Sequence, residues 1–221
     1  MEQRIGIIFN GGWSMYALAQ APKYKAIYRL IYAHSITWEK LADLDAIVVP
    51  FLSNHKAIAD KKELIYRFLA AGKKVFVEGD SSELWIDAKW EDRPVNNYWW
   101  VENPNNPPIS ETDYSHPVYT NLVPRHACWH THGVYTQIPI SASIVQKNSA
   151  GEIVTWQTEE YGGVLFATTL DPFIEHGIQQ ITHLDNYVDS LTEWLCGIRP
   201  VNEKLTFQAA DYGVEADLIS L

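Results

Sequence analysis

Acidic and imidazole side chains fall in three stretches of this chain where their spacing permits chemistry. Glu78 and Asp80 follow the short apolar run Lys74 to Val77, in the segment Glu78-Gly79-Asp80-Ser81-Ser82. Asp171, Glu175 and His176 follow a second such run, Gly163 to Thr168. If both runs are parallel strands of one sheet, these groups arrive at its carboxyl-terminal edge, where open α/β sheets bind ligands. Carboxylates around an imidazole suit acid–base catalysis or a hydrogen-bonding cage for a polyol. Asp80, His176 and Glu78 are therefore the candidate catalytic residues, with Gly79, Ser81, Asp171 and Glu175 as candidate ligand contacts. Asn10, Gly11 and Gly12 end an earlier apolar run, and their amides can face an anion or a hydroxyl. Plain structural roles compete: Asp80 as a helix cap, Asp171-Pro172 as a turn, Asn10 to Gly12 as a tight loop.

The third stretch is Arg-His-Ala-Cys-Trp-His-Thr-His-Gly, which carries His126, Cys128, His130 and His132. On an extended strand alternate residues share a face, so all four can converge, and imidazole with thiolate suits zinc or another transition metal. Against this, Pro124 and Gly133 signal a loop that would scatter the side chains, and no carboxylate ligand can be assigned from the sequence.

The elements that must position these groups alternate in type. Arg4 to Phe9 reads as a buried first strand, with a helix within Trp13 to Tyr24, a strand over Tyr28 to Tyr32 and a short helix over Thr37 to Leu44. Asp45 to Pro50 (DAIVVP) is continuously apolar, as a parallel strand covered on both faces should be. From Asp60 to Ala71, Leu64, Ile65, Phe68 and Leu69 recur at helical spacing, with Asp60 as the cap and Gly72 as the stop. Such alternation implies right-handed βαβ units and a parallel sheet. Residues 83–124 lose the periodicity and read as an insertion or lid. Ile138 to Val145 and Ile153 to Gln157 flank Asn148-Ser149-Ala150-Gly151 as a hairpin, and a helix from His183 to Cys196 closes at Gly197. Residues 1–200 are expected to form one domain, and residues 201–221 a tail packed on it or on a partner subunit, with weak strand character at Leu205 to Phe207.

The chain has 221 residues, enough to bury roughly 70% of the surface its unfolded form exposes. Its net charge of −10 disfavours nucleic acid and anionic membranes as partners. No apolar stretch approaches the ~20 residues that span a bilayer, and no signal-like region precedes the first strand, so a cytoplasmic location is expected. Two cysteines, Cys128 and Cys196, are too few for a disulfide framework and are expected to be unpaired. The nine tryptophans suit a core, an interface or the wall of a sugar cleft.

Three segments in order resemble the class I glutamine amidotransferase-like superfamily, particularly its trehalose-utilisation-like (ThuA-like) branch and the related domains appended to some glycosidases. They are RIGIIFNGG at the start, Val75 to Asp80 after DAIVVP, and Tyr161 to Pro172 (YGGVLFATTLDP), which is similar to the family's glycine-rich strand running into a histidine-bearing loop. His116-Pro117 with Thr120-Asn121-Leu122 is similar to a His-Pro segment of that branch. The resemblance spans the chain to about Pro200. It implies an α/β, flavodoxin-like three-layer sandwich with a mostly parallel central sheet, plus an insertion and a C-terminal β-hairpin region. It also implies a nucleophilic cysteine in a strand-to-helix elbow, at the place held here by Glu78, Gly79 and Asp80. No thiol stands there, so glutamine hydrolysis is not expected. Ser81 or Ser82 with His176 as base lacks a Gly-x-Ser-x-Gly elbow.

Three functions remain open. The first is a hydrolase or sugar-modifying enzyme at the strand edge, acting on a small polar molecule or carbohydrate. The second is a non-catalytic ligand-binding or interaction scaffold that self-associates. The third is a metal-dependent site at the histidine cluster, with a transition metal such as zinc; the other two need no cofactor.

Overall fold

A computed structural model describes residues 3–179 and 181–197, so the tail and its suggested strand at Leu205 to Phe207 lie outside the described residues. Five strands are mutually parallel, in the order β2 (Tyr28–Tyr32), β1 (Ile5–Phe9), β3 (Ala46–Val49), β4 (Lys74–Val77) and β10 (Val164–Thr168). This is a doubly wound order whose direction reverses between β1 and β3. The strands are short and apolar because both faces are covered, and Ala46, Ile47, Val48 and Val49 are all fully buried.

Alternation of side chains across each strand sorts the core into two halves. Ile7, Val48, Phe76 and Phe166 pack with Met15 and Leu18 of α1 (Trp13–Gln20), Phe173 of α6 (Pro172–Gln179) and Leu191 of α7 (Asp185–Leu195). Ile47, Val49, Val75 and Leu165 pack with Leu41 of α2 (Trp38–Leu41), Ile58 of α3 (His55–Ala59) and Ile65 and Phe68 of α4 (Lys62–Ala70). Helices thus cover both faces of the sheet, and none among the described residues is long and apolar enough to cross a membrane.

The sheet is mixed rather than mostly parallel. Beyond β10 it continues antiparallel through β9 (Ile153–Thr158), which pairs with β8 (Ser143–Asn148) and with β7 (Gly133–Gln137). β5 (Lys89–Asp92) pairs with β7 and β6 (Ile109–Thr112) with β8, so the stretch expected to be an insertion supplies two strands and the short helix α5 (Trp99–Glu102). The hairpin about residues 149–152 is present, with Asn148 Oδ1 accepting from the amides of Ala150 and Glu152. Its first strand begins at Ser143, because Pro139 lacks a donor and Ile140 is fully exposed. Asp60 does not cap α4; it closes α3, whose first turn is capped by the Asn54 side chain on the Ala57 amide. Both cysteines are free and buried.

Candidate functional site

Backbone hydrogen bonds continue past the ends of β3, β4 and β10 and draw their following loops together. The Glu78 amide donates to Val49 O at 3.0 Å and the Gly79 amide to Leu170 O at 2.8 Å. Gly79 has φ +79°, and a Cβ there would fall 2.4 Å from Cβ of Phe51, so only glycine fits this turn. Phe51 stacks on the His132 ring, with centroids 3.9 Å apart. The His132 amide donates to Thr169 O at 3.0 Å and Thr131 bridges Leu170, which clips residues 130–132 onto the end of β10.

Three imidazole–carboxylate pairs surround this edge. His132 Nε2 lies 2.8 Å from Asp171 Oδ2, the imidazole partly exposed and the carboxylate almost wholly buried. His130 Nδ1 lies 4.0 Å from Glu175 Oε1. His55 Nε2 lies 3.1 Å from Asp80 Oδ2, while His55 Nδ1 accepts from the Trp85 indole at 3.0 Å. Burial pushes the Asp171 carboxyl up to about 6, with the His132 interaction opposing it. Burial, reinforced by the His132 charge, lowers His130 to about 4, and burial raises Glu175. The arrangement can exchange protons with a ligand at the strand ends, and three of its groups can also hold a cation. His130, Asp171 and Glu175 each offer one ligand atom, all within 4.8 Å of one another.

The candidates named from the sequence divide. Glu78 points beneath the edge, fully buried, where Oε2 accepts the Phe173 amide at 3.1 Å and so caps α6. Burial first, and then the charge of Asp171, raise its carboxyl well above the usual range. Asp80 Oδ1 accepts the Leu52 amide at 3.1 Å, and Asn10 Nδ2 donates to Leu52 O at 2.7 Å. Leu52, held between them, is exposed and has φ +61°, a strained conformation for leucine. Gly12 donates to Asn10 Oδ1 at 3.3 Å and precedes α1, Gly11 turns with φ +100°, and Ser81 is nearly buried beside Tyr135.

Residues 172–179 form α6 rather than the expected histidine-bearing loop. Helical phase turns Glu175 toward His130 and His176 into the core, where its Nε2 is 3.0 Å from Asp185 Oδ1. The structure therefore places the His176 side chain with Asp185 and the Asp80 side chain with His55, while the Asp80 amide donates to Glu78 O at 3.1 Å. The four-residue metal set also separates. Cys128 is fully buried with its thiol donating to Trp129 O, and His126 contacts Asn186 Nδ2 at 3.1 Å. Residues 124–126 form a 3-10 turn, so strand alternation does not apply, and only His130 and His132 reach the edge. His55 was not anticipated; its one signal is its place just after the β3 loop, behind the cap residue Asn54.

No protein-family model matches the chain, and no curated protein matches it in sequence. Solved structures do match it. A candidate GMP synthase component from Thermoplasma acidophilum is 12% identical, over 88% of this chain and 96% of that one, with TM-score 0.57. A cytoplasmic protein from Salmonella typhimurium LT2 is 16% identical, over 89% of this chain and 100% of that one, with TM-score 0.52. An exo-β-1,4-mannosidase from Opitutaceae bacterium strain TAV5 is 8% identical, over 89% of this chain but 36% of that one, with TM-score 0.50. At such identities the likeness is one of architecture, and the chain shares the α/β fold of these proteins.

Proposed function

We propose that this is a cytoplasmic, ThuA-like hydrolase of flavodoxin-like architecture, working by imidazole–carboxylate chemistry at the strand edge on a small polar molecule or carbohydrate. One observation carries the reading: a buried Asp171 carboxylate with His132 Nε2 at 2.8 Å, at the end of β10. This is the edge where doubly wound sheets work, and a carboxylate beside an imidazole fixes its ring for proton transfer. Asp80 with His55 offers a second pair; Glu78, through the α6 cap, and His176, through Asp185, support the frame. The partly exposed Phe51 and Trp100 supply apolar surface of the kind that sugar rings stack on. Glutaminase chemistry is left out of the reading, because no thiol stands in Glu78 to Asp80 and burial raises both Cys128 and Cys196.

The test is turnover of a panel of glycosides, esters and amides that includes glutamine. His132→Gln should lower kcat by about 10²–10⁴ with little change in KM. Equal turnover in wild type and His132→Gln, or hydrolysis of glutamine, overturns the reading. An interaction scaffold is the second reading, favoured by the exposed Trp13 and Tyr16 on α1 and Ile178 on α6. It expects concentration-dependent self-association that Trp13→Ser abolishes in sedimentation, and a monomer at all concentrations removes it.

A further inference from the structure

We infer that His130, Asp171 and Glu175 form a site for one divalent transition-metal ion, of which zinc fits the donors best. The three residues come from two elements that meet only in the folded chain: His130 from the segment clipped to the end of β10, and Asp171 and Glu175 from the junction of β10 with α6. A tetrahedral ion with ligands at ~2.0–2.2 Å holds them roughly 3.4 Å apart, so ligand atoms within 4.8 Å of each other close on an ion by small side-chain rotations. One imidazole and two carboxylates, leaving the fourth position for water, is the donor count of catalytic rather than structural zinc.

Two further facts point to a ligand. Asp171 is 1% exposed, yet its Oδ1 has no hydrogen-bond partner while Oδ2 faces His132. His130 turns Nδ1 toward Glu175 Oε1, at 4.0 Å. A buried carboxylate oxygen is normally paired, so Asp171 Oδ1 calls for a partner. A cation supplies it and also relieves the repulsion between the two carboxylates. His132, at the outer oxygen of Asp171, then orients a metal ligand in the way that outer-shell imidazoles and carboxylates do.

This deepens the hydrolytic reading and rests on it for the use made of the ion, though binding itself is measured without any substrate. Full-length protein without an affinity tag, stripped with chelator, is titrated with Zn²⁺ by calorimetry, and with Mg²⁺ for contrast. We expect one equivalent of Zn²⁺ at micromolar affinity or better, a melting temperature that rises with Zn²⁺, and weak Mg²⁺ binding. Glu175→Gln and His130→Ala should each weaken Zn²⁺ at least tenfold, and His126→Ala should leave it unchanged. Glu175 is partly exposed and Gln keeps its shape, so circular dichroism of Glu175→Gln should match wild type and keep the comparison valid. Less than a tenth of an equivalent bound, or unchanged affinity in Glu175→Gln, overturns the proposal. Zinc bound without turnover on the substrate panel keeps the site and removes the hydrolase; less than a tenth of an equivalent bound, with turnover in metal-stripped protein, keeps the hydrolase and removes the site.

Discussion

Gly79→Ala tests whether the turn under the site is held by close approach. At φ +79° an alanine carries a backbone cost of about 1–2 kcal/mol. Its Cβ would also lie 2.4 Å from Cβ of Phe51, which no rotamer change can move aside, and such overpacking costs about 1–3 kcal/mol. The two together come to about 2–5 kcal/mol. Gly72 is a matched control, because its φ is +77° and its Cβ would meet nothing within 4 Å, so Gly72→Ala carries the backbone part alone. In a domain of this size each kcal/mol lowers Tm by about 2–4 °C. Gly79→Ala should therefore melt roughly 4–20 °C below wild type, against roughly 2–8 °C for Gly72→Ala. Thermal and urea unfolding of the three proteins give the comparison, and the imidazole resonances of His132 report whether Phe51 has shifted against it. Equal melting of the two variants would show that the approach of Phe51 to Gly79 does not hold the turn.

Two further perturbations probe the frame. Gln146 donates to Ala127 O at 2.7 Å and to Thr112 Oγ1 at 3.2 Å and accepts from Tyr119 and Thr155, so Gln146→Leu removes four hydrogen bonds, leaving Tyr119 to Tyr187 and Thr155 to Thr168, and should cost about 2–4 kcal/mol in urea unfolding; a loss under 1 kcal/mol contradicts that network. Burial holds His183 at about 4, opposed by its hydrogen bond to the Arg125 carbonyl, against about 6.5 for an unfolded chain. The unfolded chain therefore takes up the proton first as pH falls. Stability from this group is complete above pH ~6.5, declines between ~6.5 and ~4, and is level below. Discounted for its partial exposure, the loss is about 1–2 kcal/mol, and an unchanged pH slope in His183→Leu would exclude it.

The parallel half of the sheet was legible because β1, β3, β4 and β10 are buried on both faces, and a continuous apolar run of that length between turn residues marks a covered strand. That placed Glu78, Gly79, Asp80, Asp171 and Glu175 at one edge. In the antiparallel half the β8–β9 hairpin was legible from its turn residues, but β5 (KWED) and β6 (ISET) were not: they are four-residue edge strands with polar faces and irregular register, which leave no period to read. Asp171-Pro172 reads equally as a turn or as the start of a helix, because proline suits the first helical position. Read as a loop, the segment has no phase, so nothing distinguished Glu175 from its neighbour His176, which α6 turns about 100° away. His132 and Asp171 meet across 39 positions of sequence, a separation that spacing rules do not span. His55 begins a five-residue helix with too few positions to show a pattern.

The chain leaves the parallel frame at Val77 and rejoins it at Val164 on the adjacent strand, so everything between is a single excursion returning to its point of departure. The frame carries the acids Asp171 and Glu175, and the excursion carries His130 and His132. Two rungs, His132 to Thr169 and Thr131 to Leu170, hold the one against the other. The meeting of the imidazoles with the acids thus depends on these two rungs as well as on the parallel frame.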